Sequence, residues 1–298
     1  MASALAPRHW RGLLTSVSPF PGELRLVNSA AALMALFRGS KRSVELWNTA
    51  PFYVDLSDRI QRQMWLGCYE RHVHRMIVAL LKPGSVFLDI GANIGYHSYF
   101  AAGLTGADGA VHAFEPDPDV YTRLIRNLSS FPWANAENAA VWHTGAQLEF
   151  EKSFVNGECG WGVLTAIRDC NRGQRITVRG VSIDEWNALV KLSSLDLVKL
   201  DSEGAELHVL HGAQATLQKF RPAILLEVSA PLLIQGGSSA AELVAELRDL
   251  NYSVFILENS RIFPYEPIPD FHVVDCLCIN QRRVPEMLDM LRSCGFHP

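Results

Sequence analysis

From Ser85 onward the chain alternates short apolar runs with longer amphipathic ones, and this rhythm predicts the fold. Val86–Ile90 is apolar except for Asp89 and reads as a buried parallel strand. A helix is predicted over residues 96–104, and Ala110–Phe114 is the next strand. Asp117 is an N-cap with Pro118 in the first helical position, and Val120, Leu124 and Leu128 follow at spacings of four. Residues 138–142 are predicted as a short third strand. Buried strands are expected over 195–200 and 223–228, separated by a helix over 205–220 whose stripe is Leu207, Leu210, Ala213, Leu217 and Phe220. Ser239-Ala240-Ala241-Glu242 is a capping box, and Leu243, Leu247 and Leu250 face the core behind it. The last two strands, 253–257 and 272–279, are separated by a loop carrying Pro264, Pro267 and Pro269. That loop has no room for a crossover helix, so the pair is antiparallel. The predicted class is α/β, a Rossmann-like doubly wound, mostly parallel sheet with an antiparallel last strand at a reversed edge.

The rhythm is weaker elsewhere. Residues 1–40 give little beyond a short amphipathic helix from Ala30 to Phe37, ended by Gly39. One or two strands are expected over 44–56, with Pro51 at a turn or an edge. Residues 59–81 read as a helix in two pieces broken near Gly67. The second piece places Val73, Ile77, Leu80 and Leu81 on one face and stops at Lys82-Pro83-Gly84. Residues 148–150, the glycines at 157, 160 and 162, and Arg175–Val181 read as a β-rich insertion at about 145–181. The capping box Ser182-Ile183-Asp184-Glu185 ends it. The expected division is an N-terminal extension with lid and opening helices, 1–81, followed by one large α/β domain, 82–298.

Composition removes several classes of partner. Net charge is −4 and the longest basic clusters are Lys41-Arg42 and Arg282-Arg283, so no nucleic-acid partner is expected. Hydrophobic residues make up 48% of the 298 residues, enough for a packed core. No apolar run approaches about 18 residues, so no membrane partner is expected. Pro19 and Pro21 break the N-terminal apolar stretches and make a poor signal peptide. The six cysteines (68, 159, 170, 276, 278 and 294) form no Cys-x-x-Cys pair, which reads as reduced thiols in a cytoplasmic protein.

Chemistry concentrates where the first strand meets its helix. Gly91 and Gly95 lie four apart, and the helix behind them turns free N–H groups and a positive dipole end toward the turn. The dinucleotide fingerprint Gly-x-Gly-x-x-Gly is absent. Glu115 closes the second strand, where an acid accepts hydrogen bonds from ribose hydroxyls. An exposed loop acid beside a helix start is the bland alternative.

At this point the chain resembles class I S-adenosylmethionine-dependent methyltransferases, specifically the FkbM family, over about residues 50–230. Gly67-Cys68-Tyr69-Glu70 is similar to the family's Gly-x-Tyr-Glu segment, and Leu88 to Gly95 to its cofactor motif. Ala113-Phe114-Glu115-Pro116 is similar to its acidic ribose loop. Leu197-Val198-Lys199-Leu200-Asp201-Ser202-Glu203-Gly204-Ala205-Glu206 is similar to its Lys-Ile-Asp-Val-Glu-Gly-x-Glu signature, and His211-Gly212-Ala213 completes the run. The resemblance implies S-adenosylmethionine as cofactor, bound by Tyr69, Glu70, Asp89, Gly91, Asn93, Gly95, Glu115, Asn138 and Asp201. Its methionine end would lie over Gly91 to Gly95 and its adenine near 138–141. Trp142-His143 stands where the family usually has Gly-Asp.

The sulfonium donor is already activated, so alignment supplies most of the catalysis and a hydroxyl acceptor needs a base. Asp201 and Glu203 are the candidate acids, with His97 beside the cofactor loop; helix capping is the structural alternative for the two acids. A divalent metal is not expected, because Asp201 with Glu227 is a thin oxygen set. His208 and His211 share a solvated helix face, and His72 and His74 point to different sides of theirs. The insertion around Glu158, Cys159 and Trp161 is a substrate-selecting candidate. The reading is an O-methyltransferase acting on a hydroxyl of a small molecule, a sugar or polyketide-type natural product, with homo-oligomerisation left open. The alternatives are an N-methyltransferase, an NAD-dependent oxidoreductase and a non-catalytic binding protein.

Overall fold

The computed structural model describes residues 41–45, 50–152, 162–168 and 173–298. The described chain forms two compact units, residues 41–42 with 54–69, and 43–53 with 70–298. Strands β1 (Lys41–Glu45) and β2 (Pro51–Asp55) make a two-stranded sheet. In the first unit, helix α1 (Arg59–Trp65) starts at Asp58, whose buried carboxylate accepts hydrogen bonds from Gln61 N and Gln61 Nε2, both at 3.0 Å.

The second unit continues with α2 (Arg71–Leu80), β3 (Val86–Ile90), α3 (Tyr96–Thr105), β4 (Ala110–Phe114), α4 (Pro118–Leu128) and β5 (Ala134–Glu137). A small four-stranded sheet follows: β6 (Ala140–Val141), β7 (Ala146–Glu151), β8 (Val163–Leu164) and β9 (Arg175–Val181), ordered β6-β9-β7-β8. Then come α5 (Ile183–Val190), β10 (Leu197–Leu200), α6 (Glu206–His211), α7 (Gln214–Phe220), β11 (Ala223–Ser229), α8 (Ala230–Gln235) and α9 (Ala240–Asp249). The chain ends with β12 (Tyr252–Glu258), β13 (Arg261–Pro264), β14 (Val273–Asn280) and α10 (Val284–Ser293). Among the described residues no helix is long and apolar enough to cross a membrane.

The main sheet has the order β13-β12-β14-β11-β10-β3-β4-β5. Strands β3, β4, β5, β10 and β11 are parallel, and β14 runs against β11. The predicted doubly wound, mostly parallel architecture is therefore observed, with its last strand antiparallel. That strand is not at an edge, however. It lies between β11 and β12, and the hairpin partner β13 covers the outside of β12.

Side chains alternate between the two sheet faces. Leu88, Ile90, Val198, Leu200, Ile224 and Leu226 join one buried core with α5, α6, α7 and α9. On the other side Phe52 meets Tyr96 and Tyr99 edge to face, with ring centroids 5.9 and 5.3 Å apart. Asn127 on α4 is fully buried and ties this layer together. It accepts from Tyr53 N at 2.8 Å and donates to Ile94 O at 2.8 Å, which anchors the turn after β3.

Three other expectations need correction. The third strand of the main sheet is β5, not residues 138–142. The chain leaves the sheet at Asn138, whose Nδ2 donates to Glu115 O and Pro116 O, and β6 pairs with β9 instead. Ala134-Asn135-Ala136-Glu137 has no apolar run to announce it. The helix over 205–220 is two helices. Gly212 packs so closely on the segment just after β6 that a Cβ there would lie 2.3 Å from Trp142 O. Strand β13 and helix α10 have no counterpart in the sequence reading. The expected helix from Ala30 to Phe37 and the segment of Glu158, Cys159 and Trp161 lie outside the described residues.

Gly91 has φ +80°, and a Cβ on it would stand 1.8 Å from Asp201 O. Gly91→Ala is expected to cost about 3 kcal/mol or more, from backbone strain and overpacking together. Urea denaturation of the variant measures it, and a loss under about 1 kcal/mol is the outcome that contradicts it.

Candidate active site

The parallel strands β3, β4, β10 and β11 end on one edge of the sheet, and every charged group of the site stands there. The turn after β3 is pinned to β4: Gly91 N and Ala92 N donate to Phe114 O at 3.1 and 2.9 Å. Asn93 then turns left-handed, φ +53°, with its Oδ1 accepting from Ile94 N at 2.7 Å. Asn93 N donates to Glu115 Oε2 at 3.0 Å, and Asp117 N donates to Glu115 Oε1 at 2.9 Å. Glu115 is 6% exposed. Burial pushes its carboxyl up to about 8, against those two N–H donors. Asp89 is 1% exposed; its Oδ2 accepts from Ser98 Oγ at 2.5 Å, while its Oδ1 is buried with no partner. Gly95 also has a positive φ, and a Cβ there would meet Leu124 Cδ1 at 2.6 Å. Both glycines thus serve close packing of the protein on itself.

The second half of the site surrounds a lysine. Lys199 lies mid-strand on β10, in register with Asp89 on β3, and its Nζ bonds Asp201 Oδ2 at 2.9 Å. Burial opposes its charge, but Asp201, Glu70 and Asp89 outweigh that and hold the proton more firmly than usual. Burial pushes Asp201 up, and Lys199 offsets part of the rise. The loop behind Asp201 is clamped by Glu206, whose Oε1 accepts from Ser202 N, Ser202 Oγ and Gly204 N. Glu203 sits in this loop at φ +54°, its carboxyl raised to about 8 by burial and then by Asp201 and Glu206.

Glu70, Lys199, Asp201, Glu227 and Asp275 line a pocket of ≈ 280 Å³, part of it open to solvent. Glu227 and Asp275 are register partners across β11 and β14. Burial, then Asp201 and Asp275, push Glu227 up to about 9. Two histidines back this pocket. His97 Nε2 lies 2.7 Å from Glu70 Oε2, and His72 Nε2 lies 2.5 Å from Asp275 Oδ2. Burial lowers His72, but its hydrogen bond to Asp275 and that carboxylate's charge raise it more.

The sequence-derived residues therefore fall at three places. Asp89, Gly91, Asn93, Gly95, Glu115 and Asn138 stand around the β3 and β4 ends. Asp201, Glu203, Glu70 and His97 stand around the β10 end. Tyr69 closes the first unit and is half-buried. Lys199, Asp275 and His72 did not enter the sequence assignment as site residues. The first two carried a signal, a charge inside an otherwise apolar strand. His72 carried none, because its partner is 203 residues away. His74, on the other side of the same helix, is buried against Phe100, and burial lowers it to about 3. His208 is not simply solvated, since its ring stacks on Trp142 at 3.8 Å. Among the described residues no group of three or more His, Cys, Asp or Glu is arranged to hold a metal ion.

A doubly wound sheet with an acid and a glycine turn at its switch point defines a nucleotide-type binding domain. Residues 89–254, over half of the chain, match the Methyltransferase FkbM domain, and the chain belongs to that family. It is 31% identical over 161 residues to the 2-O-methyltransferase NoeI of Sinorhizobium fredii, covering 50% of this chain and 66% of that relative, just under two thirds. It is 28% identical over 186 residues to the hexuronic acid methyltransferase AglP of Haloferax volcanii, covering 61% of this chain and 73% of AglP. The crystal structure of methyltransferase FkbM from Methylobacillus flagellatus aligns at 13% identity and TM-score 0.41, over 86% of this chain and 59% of that one.

The raised carboxyl of Glu227 makes a pH prediction. Between about pH 4.5 and 9 the folded state holds a proton on Glu227 that the unfolded chain releases, so stability falls as pH rises through this window. Glu227→Gln copies the neutral form. It is expected to stabilise the protein by about 1–2 kcal/mol at pH 8 and negligibly at pH 5. Thermal unfolding at the two pH values reads this out, and equal effects at both would contradict it.

Proposed function

We propose that this protein is an S-adenosylmethionine-dependent O-methyltransferase acting on a hydroxyl of a small-molecule acceptor, and that the acceptor is a sugar. The observation that carries the reading is the buried pair of acids at neighbouring strand ends. Each oxygen of Glu115 accepts one backbone N–H and keeps a further lone pair, which suits two ribose hydroxyls. Asp89 Oδ1 is buried without a donor, which suits an ammonium group. The residues present thus fit the cofactor. Glu115 would hold its ribose, Asp89 and the Gly91 to Gly95 turn its methionine end, and Asn138 would border the adenine. Glu70 would flank it from the helix side.

When bound there, S-adenosylmethionine supplies a methyl group already activated as a sulfonium. The chain's own residues align the acceptor and take its proton. Asp201 is the proposed base, because it opens onto the pocket and burial raises its carboxyl above the usual range while Lys199 fixes its position. Glu203, nearer the protonated state, would bind an acceptor hydroxyl. His97 is the partner of Glu70 and would set that carboxylate's orientation. The two relatives, a 2-O-methyltransferase and a hexuronic acid methyltransferase, support oxygen and a sugar. A cytoplasmic setting suits the free thiols of Cys276, Cys278 and Cys294.

Calorimetry with S-adenosylmethionine, S-adenosylhomocysteine and NAD tests the cofactor. Glu115→Gln is expected to weaken binding of the first two about 10–100-fold, because an amide offers one acceptor oxygen where the carboxyl offers two. Binding of NAD in place of both would sink the reading. Asp201→Asn is expected to slow methyl transfer to a sugar about 10²-fold or more. Its cofactor affinity should change far less, and equal losses in both would leave Asp201 a structural residue.

A further inference from the structure

Near Glu203, in the loop behind Asp201, stands a cation that nothing above uses. Arg168 follows Ile167 at the end of the β8 segment, and both are held by their backbone N–H groups on Leu164 O, at 3.1 and 2.9 Å. Ile167 is wedged against the loop after β10 and the end of the helix after β11. A Cβ on Gly204, in the loop after β10, would lie 2.8 Å from Ile167 Cγ2. A Cβ on Gly236, at the end of the helix that follows β11, would lie 3.2 Å from Ile167 Cδ1. Arg168 is thus fixed where the β10 and β11 loops meet, within electrostatic reach of Glu203.

Its guanidinium is half-buried and its Nε is buried with no hydrogen-bond acceptor. Among the described residues no carboxylate forms an ion pair with it, whereas Lys199 beside the same loop is paired with Asp201. Glu203 does not compensate it at neutral pH, because burial and the neighbouring acids hold that carboxyl near the protonated state. A guanidinium partly withdrawn from water with an open Nε–H is costly to leave unpaired. It is also a fork that fits a planar or tetrahedral oxyanion through two parallel hydrogen bonds.

We propose that Arg168 is a specificity residue of the acceptor site that binds an oxyanion on the sugar, so that the acceptor is an acidic saccharide bearing a carboxylate or a phosphate. The inference rests on the sugar O-methyltransferase reading and adds to it the charge of the acceptor. The acids lining the rest of the pocket would take the acceptor's hydroxyls, and Arg168 would fix which end of the ring faces Glu203.

The test uses the full chain with three probes: methyl β-glucuronide, methyl β-glucoside and glucose 1-phosphate. Each is assayed as a methyl acceptor with S-adenosylmethionine and, independently, by calorimetric binding to protein loaded with S-adenosylhomocysteine. Wild type is expected to favour an anionic probe over the glucoside. Arg168→Ala should raise KM and Kd for that probe about 10–100-fold, leaving its kcat and the glucoside constants nearly unchanged. Arg168→Lys should recover part of the loss, since it restores charge without the fork. A preference for glucose 1-phosphate over the glucuronide identifies the anion as phosphate, and the reverse identifies it as carboxylate. The proposal is overturned if wild type handles the glucoside as well as both anionic probes, or if Arg168→Ala weakens charged and neutral probes alike. A cofactor thermal shift equal to wild type in the variant shows that the fold and donor site survive. If no probe is methylated, the function reading fails by itself. The binding arm still decides Arg168, by loss or retention of anion-selective binding in the variant.

Discussion

The ends of β3 and β10 meet at Gly91 and Asp201 so closely that no side-chain carbon fits between them. Everything else in the site is arranged about this seam. On one side the chain turns through Asn93 and delivers two N–H groups to Phe114 and one to Glu115. On the other it turns through Glu203 and is clamped by Glu206. A parallel sheet brings the carboxyl ends of its strands to one edge, but it does not bring two loops into backbone contact. The glycine does that. It makes the nucleotide-type half and the acidic half of the site one rigid object, and a small displacement of either would move the other.

The electrostatics follow from the same crowding. Five acids, Glu70, Asp89, Asp201, Glu227 and Asp275, approach one edge with a single buried lysine among them. One cation cannot balance five ionised carboxylates in a medium where charge is poorly screened. The protein responds by raising Glu227 within the set, and Glu203 in the loop beside it is raised as well. Lys199 settles which acid stays charged, since it bonds Asp201 directly and bears on the others through space.

The parallel core and its helices were legible because burial on both faces writes continuous apolar runs such as Val86–Ile90 and Leu197–Leu200. The glycine turn, Glu115 and Asp201 were legible because turn chemistry and acids at strand ends are local signals. Strand β5 was not, since Ala134–Glu137 is only half-buried and gains its place by pairing with β4. The split between α6 and α7 is set by Trp142 pressing on Gly212, a contact 70 residues away in sequence. The same holds for function. Lys199 was visible as a misplaced charge in an apolar strand, whereas His72 and Arg168 acquire meaning only from what the fold sets beside them.

Backbone strain separates the site from the scaffold by an independent route. Seven non-glycine residues among those described have positive φ. Lys191 and Arg221 cap the ends of α5 and α7, and Asn251 and Asn259 turn the chain before and after β12, all ordinary places for a left-handed residue. The other three are Glu70, Asn93 and Glu203. None of them ends a helix, and all three stand at the charged edge, one before α2, one in the turn after β3 and one in the loop after β10. Asparagine tolerates this conformation, but glutamate gains nothing from it locally. A chain that holds two glutamates there at a cost of about 1 kcal/mol or more each does so because the surrounding contacts dictate where their carboxylates point. Of the three, Glu203 also carries a raised carboxyl, so backbone strain and displaced charge coincide there, although one is a property of the backbone and the other of charge.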